Sequence, residues 1–318
     1  MKISLLEPLG VPAAVIESYG KKLTEAGHEF VYYDTKTTDP AELARRSEGA
    51  EIVMIANNPY PASVVNAAKD LKMLDVAFTG IDHVALDACK EAGVTVCNAS
   101  GYSTETVAEL VLAMAVAGLR KMREGDIRTR SGQTAAGLGG REIAGRTVGI
   151  IGLGHIGLRA AELFLAFGAK VIAFNRSVNP KAVEMGIEYK TLDEVLQESD
   201  IISLNLPNNK ETKGIISAEK IALMKNDAVF INCARGPIVD NAALAAALNN
   251  DELGYACIDV YDGEPPLAED YPLLHAKNTL LTPHQGFISE EAMLRRAEIV
   301  FANVDAYLKG EAINVCKL

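Results

Sequence analysis

The chain has 318 residues, 49% of them hydrophobic, a length that calls for two domains and an apolar content sufficient to fill two cores. Its net charge of −11 disfavours nucleic acid and anionic membrane as partners, since either needs a basic field. No apolar run is long enough to cross a bilayer, the opening MKISLLEPLG lacks the hydrophobic region of a signal peptide, and the five cysteines contain no CxxC pair, which together argue for reduced thiols in a cytoplasmic setting rather than a disulfide frame or a metal site.

In chain order, short strands are expected at 3–6, 29–33, 52–55, 73–77 and 94–97, separated by helical segments, and this alternation predicts an α/β architecture. A long helix over 103–121 follows, with Thr104 and Glu105 early and Arg120-Lys121 at its end, as the macrodipole favours; it is expected to carry the chain from one domain into the other. Residues 124–142, with the cluster Gly137-Leu138-Gly139-Gly140, read as a surface excursion. Alternation then resumes at 147, with further strands at 170–174, 201–204, 228–231 and 255–258, each ahead of a polar loop. A last helix over 289–309 carries the stripe Met293, Ala297, Val300, Phe301, Val304 and Leu308, which would let it return to the first domain.

The most informative stretch is 147–157. Val148, Ile150 and Ile151 read as a strand covered on both faces, and Gly152-Leu153-Gly154-His155-Ile156-Gly157 is a GxGxxG turn that opens a helix over 158–167. Gly152 permits the tight turn, Gly154 lets a diphosphate approach the backbone, and Gly157 lets the helix pack close to the strand. The helix N-terminus then faces an anion, so this unit is expected to bind a dinucleotide.

In a doubly wound sheet ligands bind at the carboxyl ends of strands. Three such segments bear chemistry: Asn232-Cys233-Ala234-Arg235-Gly236, Asp259-Val260-Tyr261-Asp262-Gly263-Glu264-Pro265 and Thr282-Pro283-His284. Arg235 offers a planar fork of donors suited to a carboxylate and an adjacent carbonyl. His284 is the natural proton donor near neutral pH, and Glu264 would favour its imidazolium form and fix its orientation. Taken singly, each has an ordinary structural alternative: a surface salt bridge, a capping histidine, one acid among 42.

These residues also resemble the D-isomer-specific 2-hydroxyacid dehydrogenases. The resemblance spans nearly the whole chain, through VAFTGIDHVALDACKEAGVTVCNASGYSTETVAEL, GLGHIG, NCARGPIVD, DVYDGEP and TPH. It implies a two-domain α/β fold: a Rossmann-like doubly wound parallel sheet for the cofactor over residues 102–286, and a flavodoxin-like α/β substrate domain from residues 1–101 and 287–318. It further implies that Arg235 binds substrate, that Glu264 partners the histidine, that His284 is the acid/base and that Asp259 lies against the nicotinamide carboxamide. The candidate cofactor set is Thr106, Gly152, Gly154, His155, Ile156, Gly157, Asn175, Arg176, Ser177, Leu206, Pro207, Thr212, Cys233, Ala234 and Asp259. Backbone N–H groups near Gly80 and Ile81 are implied on the substrate carboxylate, with Thr79 beside them, Asn57 as a weaker contact and His83 facing solvent.

The resemblance thus implies hydride reduction of a small 2-keto acid, with closure of the domains about hinges near Ala99-Ser100-Gly101 and Gly286-Phe287. The NASGYST block is similar to that of glycerate and hydroxypyruvate members, which favours hydroxypyruvate or glyoxylate as substrate. Phosphoglycerate, D-lactate and branched 2-keto acids stay open, because TPHQGF departs from the usual TPHIA or TPHIG. At the end of the second strand, where an acidic residue would accept the ribose hydroxyls of NAD, this chain has Asn175 followed by Arg176 and Ser177. That favours NADP(H) over NAD(H), with dual use allowed, although Asn175 could also bond the NAD ribose while Arg176 faces solvent. No metal is expected. A homodimer is implied, for which the apolar 111–119 stretch offers a surface unless it is buried in its own subunit. A dinucleotide-sensing binding protein is the alternative from another class, disfavoured by the absence of long flanking tails and by the three retained catalytic-type residues.

Overall fold

Strands that are apolar at nearly every position cannot show a face to water, and both sheets of this chain are built largely from such strands. The computed structural model describes all 318 residues and divides into two units, Met1–Ser103 with Ile288–Leu318, and Thr104–Phe287.

The first unit holds β1 (Lys2–Leu5), β2 (Glu29–Tyr32), β3 (Ile52–Ile55), β4 (Met73–Val76) and β5 (Thr95–Asn98), all parallel, in the order β2-β1-β3-β4-β5. This is the flavodoxin-like order, in which the chain reverses direction across the sheet between β1 and β3. Every residue of β3 and β4 is buried. The helix Glu290–Leu308, capped by the Ser289 hydroxyl on the Ala292 N–H, buries Met293, Ala297, Val300, Phe301 and Val304 in this unit. Phe301 stacks on Tyr19 with ring centroids 4.3 Å apart.

The second unit holds β6 (Thr147–Ile151), β7 (Lys170–Phe174), β8 (Glu188–Tyr189), β9 (Ile201–Leu204), β10 (Val229–Asn232), β11 (Tyr255–Ile258) and β12 (Thr279–Leu281). They form one parallel sheet in the order β12-β11-β10-β9-β6-β7-β8, doubly wound about β6. Alternate side chains feed two cores, one on each face: Ile151, Phe230 and Ile258 pack on one side, and Val148, Ile150, Val229 and Ile231 on the other.

Three expectations need correction. The excursion at 124–142 contains a helix, Met122–Arg130, which has no buried residue and therefore no apolar stripe to announce it. The short strands β8 and β12 were not anticipated; with two and three residues they are too brief to show a period. In the helix Thr104–Leu119, Val111, Met114, Ala115, Gly118 and Leu119 are buried within the same unit, so most of the stretch suggested for dimer contact is already used. No helix is long and apolar enough to cross a membrane.

Candidate active site

The fingerprint turn joins β6 to the helix His155–Ala166. Gly152 sits at φ +100°, where an L side chain is strained, and a Cβ there would lie 2.7 Å from the Asn205 carbonyl oxygen after β9. A Cβ on Gly157 would lie 1.9 Å from the Gly152 carbonyl oxygen, so the helix approaches the turn as closely as backbone allows. Gly154 is the N-cap, makes no side-chain cap and has open space where a Cβ would stand. The N–H groups of the first helical turn therefore line a cradle shaped for an anion, and these residues fit the diphosphate of a dinucleotide. His155 is exposed beside the turn, whereas Ile156 packs on the core.

At the end of β7, Asn175 is engaged within the protein. Its Oδ1 accepts the Leu153 N–H at 3.0 Å and its Nδ2 donates to the Ser177 carbonyl at 2.7 Å, so the amide clamps the fingerprint turn to the following loop. Arg176 is 87% exposed and pairs with Glu211, itself 72% exposed, at 3.1 Å. Glu211 belongs to the loop after β9, where the Thr212 hydroxyl accepts the Asn209 N–H at 3.0 Å and donates to the Pro207 carbonyl at 2.5 Å. Leu206 packs on the core beside the turn, and a Cβ on Gly152 would lie 3.0 Å from its Cδ2. Thr106 is half-buried on the helix Thr104–Leu119.

Arg235, Glu264 and His284 follow β10, β11 and β12, three neighbours in one parallel sheet, so their loops leave the same edge. Buried Asn232 shapes the first loop: its Oδ1 accepts the Ala234 N–H at 3.0 Å and its Nδ2 donates to the Arg235 carbonyl at 3.0 Å. The half-buried Arg235 donates from a guanidinium nitrogen to the Ala234 carbonyl at 2.8 Å. Gly236 locks this loop to the next, since a Cβ there would overlap the Tyr261 carbonyl group. The second loop is held at Asp262, which accepts from Asn241 Nδ2 at 2.9 Å and from the Tyr271 hydroxyl at 3.0 Å. The Cys233 thiol meets Met114 Sδ at 3.5 Å, and burial pushes its ionisation well above the ordinary thiol range.

Asp259 takes a bracing role. It is buried and accepts from the Thr282 hydroxyl at 2.5 Å, the Gln285 N–H at 2.9 Å and the Gly286 N–H at 2.8 Å, so its oxygens hold the loop that carries His284. Burial raises its carboxyl above the usual range while these donors pull it back. A Cβ on Gly286 would lie 2.8 Å from Asp259 Oδ2, which accounts for glycine in the unusual Gln285-Gly286-Phe287 segment. His284 sits at φ +55° and its Nδ1 donates to both oxygens of Glu264 at 2.8 Å, while its ring meets Phe287 edge-on at 5.3 Å.

In the first unit, no backbone carbonyl takes the N–H groups of Thr79, Gly80 or Ile81 after β4. Asn57 follows β3, on a loop fixed by the buried Glu7, whose Oε1 accepts the Ala56 N–H at 2.7 Å and the Asn58 N–H at 2.8 Å. His83 is half-buried rather than solvent-facing, its ring edge-on to Phe78 at 6.5 Å. Glu7, Asn232 and Asp262 escaped sequence reasoning; only the last two lie inside motifs that were already singled out.

Residues 112–286 match the family model described as D-isomer specific 2-hydroxyacid dehydrogenase, NAD binding domain. The chain is 37% identical over 299 residues to a glycerate dehydrogenase of Methylorubrum extorquens, covering 91% of this chain and 92% of the relative. It is 32% identical over 302 residues to a hydroxypyruvate reductase of Blautia hydrogenotrophica, covering 93% and 94%. Against a D-3-phosphoglycerate dehydrogenase of Methanocaldococcus jannaschii, 34% identical over 274 residues, the match takes in 85% of this chain and only 52% of the relative, so the chain spans about half the length of that protein. Among solved structures, an acyclic imino acid reductase in complex with NADPH and D-arginine aligns over 100% of both chains at 31% identity and a TM-score of 0.90. A D-lactate dehydrogenase of Aquifex aeolicus complexed with NAD and lactic acid aligns over 96% of each at 29% and 0.85. With the fingerprint cradle and the arginine, glutamate and histidine loops in place, these matches show that the chain belongs to the D-isomer-specific 2-hydroxyacid dehydrogenase family of nicotinamide-dependent oxidoreductases.

Proposed function

We propose that this protein reduces a small 2-keto acid to the D-2-hydroxy acid, with hydroxypyruvate or glyoxylate as the favoured substrate. The observation that carries the reading is the His284 and Glu264 pair at the strand ends that also present Arg235. The carboxylate commits Nδ1 of His284, which makes Nε2 the nitrogen that delivers a proton to the carbonyl oxygen as negative charge develops there. Glu264 stabilises the imidazolium before transfer, and Arg235 polarises the carbonyl and steadies the carboxylate with its planar fork. The N–H groups of Thr79, Gly80 and Ile81, which no backbone carbonyl takes, are donors suited to a carboxylate. A bound nicotinamide dinucleotide supplies the hydride; Gly152, Gly154, Gly157 and the loops after β7 and β9 would hold it.

For the cofactor, the reading is a preference for NADP(H) with NAD(H) also used. It is supported by the lack of a carboxylate at the end of β7 and by exposed Arg176 and Ser177 in that place. The glycerate dehydrogenase and hydroxypyruvate reductase relatives, matched over nine-tenths of both chains, support the substrate class. A homodimeric protein of the cytoplasm is part of the same reading, and sizing of the purified protein tests the dimer.

The direct test follows the absorbance of NADPH and NADH as the protein is mixed with hydroxypyruvate, glyoxylate, pyruvate, a branched 2-keto acid and phosphohydroxypyruvate. Oxidation fastest with hydroxypyruvate or glyoxylate is the expected result. Tight dinucleotide binding with no oxidation by any keto acid would replace this reading with a sensing role.

A further inference from the structure

The last residue of β5, Asn98, reaches across to the loop after β4. Its Nδ2 donates to the Thr79 carbonyl at 2.8 Å, and the adjacent Ala99 N–H bonds the Phe78 carbonyl at 3.1 Å. Two consecutive carbonyls of the 77–81 loop are therefore tied to β5. In a trans peptide the carbonyl and the following N–H point in opposite directions, so fixing the Thr79 carbonyl fixes the Gly80 N–H, and fixing the Phe78 carbonyl fixes the Thr79 N–H. The Thr79 and Gly80 N–H groups, which no backbone carbonyl takes, gain defined directions this way.

Asn98 is itself gripped from the C-terminal side. Its carbonyl accepts from Asn303 Nδ2 at 3.1 Å, and its N–H donates to the Asn314 carbonyl at 3.1 Å. Asn303, fully buried, also donates to Asp75 Oδ1 at 2.8 Å and accepts from Asn314 Nδ2 at 2.8 Å. The Cys316 N–H continues the attachment of the tail to the Val96 carbonyl at 2.8 Å. Buried Asn303 thus links half-buried Asn98 to the exposed Asn314, and the chain of hydrogen bonds ends at the Thr79 carbonyl.

We propose that Asn98 is a positioning residue for recognition of the substrate carboxylate, orienting the Gly80 N–H through the Thr79 carbonyl, and that Asn314 of the C-terminal tail holds it in place through Asn303. The proposal rests on the 79–81 loop being the carboxylate binder.

Asn98→Asp keeps the size of the side chain but sets a carboxylate oxygen against the Thr79 carbonyl. It should raise KM for the accepted keto acid about tenfold while changing kcat less than about threefold and leaving NAD(P)H affinity, read by fluorescence, unchanged. Asn314→Ala, at an exposed tail position, should raise KM about threefold in the same pattern, and it decides the matter if Asn98→Asp does not fold. Gly80→Ala tests the loop separately. If Gly80→Ala raises KM and both asparagine variants leave it alone, the loop reading stands and the positioning role falls. If none of the three moves KM, the loop reading falls and takes this proposal with it.

Discussion

Glu264 places both carboxylate oxygens 2.8 Å from Nδ1 of His284, although the glutamate side chain is 73% exposed and the imidazole only 12%. The base of the pair is thus anchored in the loop after β12, while its partner reaches in from solvent. Removing the charge of Glu264 should have a readable effect with little structural damage. In Glu264→Gln an acceptor for the His284 Nδ1–H remains but the negative charge facing the imidazole is lost. The kcat/KM for reduction should fall about tenfold while dinucleotide affinity holds, and an unchanged kcat/KM would remove Glu264 from this role.

His284→Ala should cut kcat by about a hundredfold or more, the usual contribution of a positioned general acid. Dinucleotide affinity should change little, because the fingerprint turn and the loop after β7 make no use of this side chain. Titration of the variant with NADPH and NADH, beside steady-state kinetics, checks both halves.

On the proposed NADP(H) reading, a 2′-phosphate would compete with Glu211 for Arg176. Exposed pairs of this kind contribute about 0–1 kcal/mol, so a phosphate should displace Glu211 readily. Arg176→Ala should lower kcat/KM for NADPH about tenfold, and Glu211→Gln should raise it about twofold to fivefold, with NADH values steady in both. An NADPH rate indifferent to Arg176→Ala would mean that the arginine serves only the surface.

Burial pushes the Asp75 carboxyl up to about 8, against the opposing hydrogen bond from Asn303. The native state therefore keeps a proton that the unfolded chain has released, and stability should fall as pH rises from about 4 to about 8 and level off beyond. Asp75→Asn stays uncharged throughout this range. Its melting temperature should lose that slope, whatever its absolute value, when thermal unfolding is followed across the same window.

The residues that were legible in the sequence are those whose role depends on near neighbours. Gly152 and Gly157 are five positions apart and meet each other; Arg235 and Glu264 each follow a buried strand whose end could be read, and His284 was legible from its own segment although the short strand before it was not. Asn98, Asn303 and Asp75 were not legible as a group, because their contacts join residues 205 and 228 positions apart and an asparagine in a helix pattern carries no sign of its partner. Asn175 was singled out for its chemistry, yet its hydrogen bonds to Leu153 and Ser177 depend on how two loops fold together. The helix Met122–Arg130 was hidden for a different reason: a helix that buries nothing leaves no periodic trace.

The backbone of His284 lies in the left-handed region, which costs any L side chain something and costs glycine nothing. Alanine at this position inherits the strain of the histidine; glycine releases it. His284→Gly should therefore preserve the loop set by Asp259 better than His284→Ala, and it leaves a gap of imidazole shape between Glu264 and the edge of Phe287. That gap invites chemical rescue: free imidazole added to the glycine variant can lodge against the same carboxylate and return part of the lost turnover.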